Sequence, residues 1–271
     1  MVPDDATPSR QRAAQRPGQN RRSDQSGNSL GRLETFGKRH GSNTLDSLEE
    51  ETTLIINKAL AEVLGTFILV GLGSMGILAV GGANGAAEIV AIAFAFGLAL
   101  LMGIWVLGHV SGAHFNPAVT LAFLLNKEIS FGDAIGYWVG QFAGASVASA
   151  VVWAATSRQA VASTATTYSD YSTALIVEIL LTTVFVWTIL TVVKRGGNAA
   201  PAAIAFALVG VHLAGIPASG ASVNPARSFG PAVVGGADVG QLGLYIYAPL
   251  IGAVIAWGLY SMFPVEESAS E

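Results

Sequence analysis

One decapeptide occurs twice, and its two settings restrict the fold more than any other feature of the chain. SGAHFNPAVT runs from Ser111 to Thr120 and SGASVNPARS from Ser219 to Ser228, 108 residues later, with six of ten positions shared. Each copy sits among apolar stretches long enough to cross a bilayer, for which about 20 residues are needed. Six such stretches are present, about Leu54–Val80, Ala86–Val110, Gly132–Ala155, Thr173–Val193, Ala199–Gly215 and Leu242–Phe263. Three stretches and one decapeptide therefore make one repeat. Three is odd, so the second copy enters the membrane from the opposite side, and the chain reads as an inverted repeat with a site near the bilayer midplane.

Composition agrees. Hydrophobic residues make up 52% and charged residues 12%, against roughly 25% charge in soluble domains. Period-two alternation is absent, so the spans read as helices rather than strands. Small residues are dense in GQFAGASVASA (140–150) and LIGAVIAWG (250–258), which lets helix backbones approach closely inside a membrane. No cysteine is present, which excludes thiolate catalysis and disulfides. No HExxH or His/Asp cluster is visible, and the reading holds no catalytic residue, metal, cofactor or nucleic-acid partner.

Residues 1–52 read as a disordered N-terminal tail, because a polar, Arg-rich segment buries too little apolar surface to offset the entropy of ordering. No apolar run follows its basic residues, so it does not read as a secretory signal. The membrane-spanning domain is expected over 53–264, with repeats at about 54–155 and 173–263 and a short tail at 265–271. Eight of the fourteen Lys and Arg residues lie in the N-terminal tail. Lys127, Lys194 and Arg195 fall on one side of the expected topology and Arg158 on the other. The positive-inside tendency then places both termini in the cytoplasm.

Asn is a favoured N-cap and Pro a favoured first helical residue, so Asn116-Pro117-Ala118 and Asn224-Pro225-Ala226 each start a helix. The apolar run that follows is only about ten residues, which fits a re-entrant half-helix rather than a span. Two half-helices entering from opposite sides meet N-terminus to N-terminus and converge their positive dipole ends. The expected lumen carries the Asn NH2 donors and the carbonyls of Gly112, Ala113, His114, Gly220, Ala221 and Ser222. Glu62 in AEVLGTF and Glu178 in VEILLTT are placed alike in the two repeats. They read as acceptors for loop N–H groups, with Gln141 as a further support.

The paired Asn-Pro-Ala motifs, the six spans, the two glutamates and the ending NPARSFGP resemble the aquaporin (major intrinsic protein) family over about residues 54–263. The resemblance implies an all-α membrane protein with six transmembrane helices plus two re-entrant half-helices in an inverted repeat. It implies a homotetramer in the lipid bilayer, at the plasma membrane, with water as the partner that passes. Carried over by motif spacing, the family's selectivity filter falls on Phe96, His212, Ala221 and Arg227. That set is similar to the water-selective branch, as is Ser228 after the arginine where glycerol-conducting relatives have Asp. Tyr245-Ile246, near the start of the last span, is more similar to the glycerol branch. The expected function is a passive water channel that excludes protons and ions. The alternatives are a glycerol or small-neutral-solute facilitator and a secondary transporter coupled through Glu62 and Glu178.

Overall fold

The computed structural model describes the backbone of residues 29–265 and the side chains of residues 49–265. All regular structure among these residues is helical: α1 (Ser29–Ala79), α2 (Ala86–Ser111), α3 (Pro117–Leu125), α4 (Phe131–Ala155), α5 (Arg158–Ser163), α6 (Tyr171–Arg195), α7 (Ala200–Ser219), α8 (Pro225–Gly235) and α9 (Leu242–Met262). The chain divides into two units, residues 1–48 and 49–271. Of the expected tail, residues 1–28 lie outside the described residues, while α1 is helical from Ser29. No proline stands between Pro17 and Pro117, so nothing in that stretch forbids a helix running into the first span.

Six helices among the described residues are long and apolar enough to cross a membrane: Glu49–Ala79 of α1, then α2, α4, α6, α7 and α9. Between them stand the two short helices. α3 has 9 residues and α8 has 11, which at 1.5 Å per residue is about half of a ~30 Å hydrocarbon core. The expected end of the fifth span at Gly215 falls short. α7 continues through Pro217 to Ser219, closed by left-handed Gly220, whose N–H reaches the Ile216 carbonyl at 3.0 Å. Pro217 has no N–H to offer the Leu213 carbonyl, so α7 gives up one backbone bond in its last turn.

The repeats interlock. α6 packs on α9 and α2 on α7, while α3 lies against α9 and α8 against α4, so each half-helix touches the last span of the other repeat. Glycine makes these crossings possible. A Cβ on Gly144 of α4 would stand 2.2 Å from the Val63 carbonyl oxygen of α1, and one on Gly230 of α8 would stand 2.4 Å from the Ala145 carbonyl of α4. Gly252 of α9 sits in the same way against the Ile179 carbonyl of α6, at 2.8 Å. It occupies the position of Gly144 in the second repeat.

Candidate functional site

The site is built from the two loops before α3 and α8. Each starts at a helix-terminating glycine, Gly112 (φ 82°) or Gly220 (φ 77°). Each then places two non-glycine residues in the left-handed region: Ala113 and Phe115 in the first loop, Ala221 and Val223 in the second, at φ of 46–56°. Such residues cost about 1–2 kcal/mol apiece, and a β-branched valine there is a true outlier. The conformation persists because buried acceptors reward it. One carboxylate oxygen of Glu62 takes the Ser111 hydroxyl (2.6 Å) and the His114 N–H (3.0 Å). The other takes the Phe115 N–H (2.6 Å) and the Gln141 amide (2.7 Å). Glu178 does the same in the second half, with the Ser219 hydroxyl (2.7 Å) and the N–H groups of Ser222 (2.7 Å) and Val223 (2.8 Å). Hydrogen bonds to a charged acceptor contribute about 1.5–3 kcal/mol each, enough to offset the strain.

The asparagines join the halves. Asn116 Oδ1 caps α3 through the Ala118 N–H at 2.9 Å, and Asn224 Oδ1 caps α8 through the N–H groups of Ala226 (3.0 Å) and Arg227 (3.2 Å). Their amides cross over: Asn116 Nδ2 donates to the Val223 carbonyl at 2.8 Å and Asn224 Nδ2 to the Phe115 carbonyl at 2.9 Å. So one N–H of each amide is spent between the loops, and only the second remains for the lumen. Pro117, Ala118, Pro225 and Ala226 are buried at the two helix starts.

Two cavities approach this junction. One, of about 450 Å³, is walled by both asparagines and by Gly112, Ala113, His114, Ser222 and Val223; it extends to Gly197 and Pro201 near the α6–α7 turn. The other, of about 230 Å³, is walled by Gly220, residues 163–167 and the Gly82–Ala83 turn. Phe96, His212 and Arg227 line both and therefore stand between them. Phe96 and His212 stack with ring centroids 4.9 Å apart, and the Arg227 guanidinium lies 4.8 Å from the centre of the Phe96 ring. His212 Nδ1 reaches the Leu208 carbonyl at 2.9 Å. A carbonyl only accepts, so in the neutral ring Nε2 is an acceptor. That atom and Arg227 Nε have no hydrogen-bond partner among the described residues. Arg227 Nη1 donates to the Thr164 carbonyl at 3.0 Å. The neck thus offers one apolar face, one acceptor and one cationic donor.

Three of the four residues assigned to the filter meet here. Ala221 does not: it is fully buried and lines neither cavity. Glu62 and Glu178 also line neither. Gln141 bridges Glu62 and, at 2.8 Å, the Thr120 hydroxyl. The sequence reading assigned no role as loop donors to Tyr137 or Tyr245, whose hydroxyls donate to the Ser111 (2.5 Å) and Ser219 (2.7 Å) carbonyls. The 108-residue offset that pairs the decapeptides also pairs these tyrosines and would have found them. It missed the Phe115 and Val223 carbonyls and residues 164–166 as well.

The sequence profile of the major intrinsic protein family matches residues 49–260. The chain belongs to that family. Among related major intrinsic proteins, the glycerol uptake facilitator protein-like 6 of Lactiplantibacillus plantarum is 40% identical over 210 residues, covering 74% of this chain and 95% of its own. Aquaporin Z of Rhodopseudomonas palustris is 35% identical, covering 78% and 94%. Aquaporin TIP2-1 of Zea mays is 37% identical, covering 76% and 86%. The X-ray structure of the aquaglyceroporin from Plasmodium falciparum shares the fold, with a TM-score of 0.68 at 21% identity over 76% of this chain and 95% of that one. As a major intrinsic protein, the chain is an integral membrane protein of a family of channels for water and small solutes.

Proposed function

We propose that this major intrinsic protein is a passive water channel that excludes protons and other ions. The observation that carries the reading is the neck between the two cavities, walled by Phe96, His212 and Arg227. A solute there must trade its hydrogen bonds for those of His212 Nε2 and Arg227 while sliding past an aromatic ring, and then for those of the two asparagine amides in the larger cavity. Water does this at little cost. Cations meet the Arg227 charge and then the facing N-termini of α3 and α8, an electrostatic barrier of the kind established for aquaporin-type pores. We assign the loop-facing Glu62 and Glu178 to scaffolding. Their oxygens are occupied by loop donors, which speaks against a coupled transporter.

The second reading is a glycerol or small-neutral-solute facilitator. It is favoured by the 40% identical relative named as a glycerol uptake facilitator-like protein and by Tyr245-Ile246 near the start of α9, which is more similar to the glycerol branch. We place the protein in the plasma membrane as a homotetramer with both termini cytoplasmic, an orientation supported by Lys127, Lys194 and Arg195 on one face against Arg158 on the other.

Stopped-flow light scattering on proteoliposomes under an osmotic step tests the choice, with a proton-sensitive dye read in parallel. Fast water flux with little glycerol flux and no proton leak is expected. Glycerol flux as rapid as that of a solute facilitator would transfer the assignment to the second reading.

A further inference from the structure

The two halves solve one packing problem differently. In the first, the Thr120 hydroxyl lies between His114 Nδ1 (3.1 Å) and Gln141 Nε2 (2.8 Å), so α3 is tied to α4, a membrane-spanning helix. The residue equivalent to Thr120 by the 108-residue offset is Ser228, and that equivalent to His114 is Ser222. The residue equivalent to Gln141 is Pro249, whose side chain can donate nothing. The vacancy is filled from elsewhere in the chain. Ser228 Oγ lies 2.5 Å from Ser222 Oγ and 2.5 Å from Thr166 Oγ1. Ser222 Oγ in turn donates to the Asn224 carbonyl at 2.9 Å.

Thr166 belongs to the loop between α5 and α6, and that loop also holds the guanidinium. The Thr164 carbonyl, two residues earlier, accepts from Arg227 Nη1. On its α5 side the loop is fixed by the Thr164 N–H and hydroxyl, both on the Val161 carbonyl at 3.0 and 2.8 Å. On its other side the Thr166 hydroxyl grips Ser228. Its methyl lies over Gly220, where an added Cβ would come within 3.4 Å of Cγ2. Thr164, Thr166 and Arg227 all wall the smaller cavity.

We propose that Thr166 is a specificity-positioning residue: through Ser228 it clamps the 163–167 loop, so that the Thr164 carbonyl holds Arg227 at the width that rejects larger solutes. The clamp rests on the reading of the Phe96–His212–Arg227 neck as the selective element. Without it the loop loses its tie to α8, and the Thr164 carbonyl is held only by the α5 side and, four residues on, by the Tyr168 N–H on Gln241 Oε1 at 2.9 Å. Arg227, whose Nε has no partner among the described residues, can then swing clear of Phe96.

The test uses the full-length protein in proteoliposomes, with water and glycerol permeability measured for wild type, Thr166→Val, Thr166→Ser and Arg227→Val. If the wild type itself passes glycerol, erythritol replaces it. Thr166→Val is expected to raise the solute-to-water ratio about three- to ten-fold, the equilibrium weight of one buried hydrogen bond, toward the Arg227→Val value. Thr166→Ser, which keeps the hydroxyl, is expected to stay at wild type. A wild-type ratio in Thr166→Val beside a raised ratio in Arg227→Val would overturn the clamp and leave the neck standing. So would an equal rise in Thr166→Ser. An unchanged ratio in Arg227→Val would instead sink the neck. Solid-state NMR of 15N-arginine in lipid then decides the clamp independently. An Arg227 signal that shifts or broadens in Thr166→Val upholds it, and an unaltered signal overturns it.

Discussion

A guanidinium inside a membrane costs at least ~2.5 kcal/mol on insertion scales, so a buried arginine needs a compensation. Among the described residues the Arg227 guanidinium has one carbonyl and one aromatic face, fewer partners than its five N–H groups can use. The remaining donors are available to whatever occupies the neck. Replacing Arg227 by Val and His212 by Ala together removes the cation, the acceptor and much of the volume at that point. The double variant is expected to pass glycerol and urea, and each ~1.4 kcal/mol taken off a barrier gives about tenfold in flux. The solute traces of stopped-flow experiments check this. A folded double variant with wild-type glycerol and urea traces would show that Arg227 and His212 do not set the cut-off. The asparagines follow the same logic of shared donors. Their capping role was legible from Asn-Pro before a short apolar run. Their bonds to the Phe115 and Val223 carbonyls were not, because a cross-loop partner leaves no spacing signal in either loop.

At the level of helices, what made the fold legible was length. The six apolar runs of bilayer length map onto α1, α2, α4, α6, α7 and α9 and the two of half that length onto α3 and α8, while the short α5 has no counterpart among those runs and α1 starts well before Leu54. α7 runs past Gly215 to Ser219 and is closed by left-handed Gly220, and α1 reaches back to Ser29 through a stretch without proline. The connection between α5 and α6 was opaque. STATTYSD shows no periodicity, and the value of Thr164 and Thr166 lies in distant groups on α8. Helix crossings yield a sharp expectation. In Gly230→Val, Cβ would meet the Ala145 backbone, which cannot rotate away; overpacking of this kind costs about 1–3 kcal/mol or more. Gly210→Val, with nothing within 4 Å of an added Cβ, is the control. Thermal unfolding in detergent, followed by tryptophan fluorescence, should show Gly230→Val melting well below the control. Equal melting of the two would contradict the close α4–α8 contact.

Across the whole molecule, the inverted repeat puts the α3–α4 and α6–α7 connections on one face, and the α1–α2, α4–α6 and α8–α9 connections on the other. The first face carries Lys127, Lys194 and Arg195 and the second Arg158. Short-loop charge of this kind biases insertion so that the basic face stays in the cytoplasm. The chain has no cysteine, so it needs no background substitutions before site-directed labelling, and mercurials have no thiol to attack. Single cysteines at two exposed positions read the orientation: Asn198→Cys in the α6–α7 turn and Gln159→Cys in α5. In intact cells a membrane-impermeant maleimide is expected to label Gln159→Cys and to spare Asn198→Cys until the cells are lysed. The opposite pattern would invert the assigned topology. It would also turn the smaller cavity, and with it the 163–167 loop, toward the cytoplasm. The Thr166 clamp would then stand at the inner mouth of the pore, within reach of cytoplasmic factors. Labelling of both sites in intact cells would mean that the protein inserts in both orientations, and a three-to-one charge difference would then be too weak to direct a symmetric repeat.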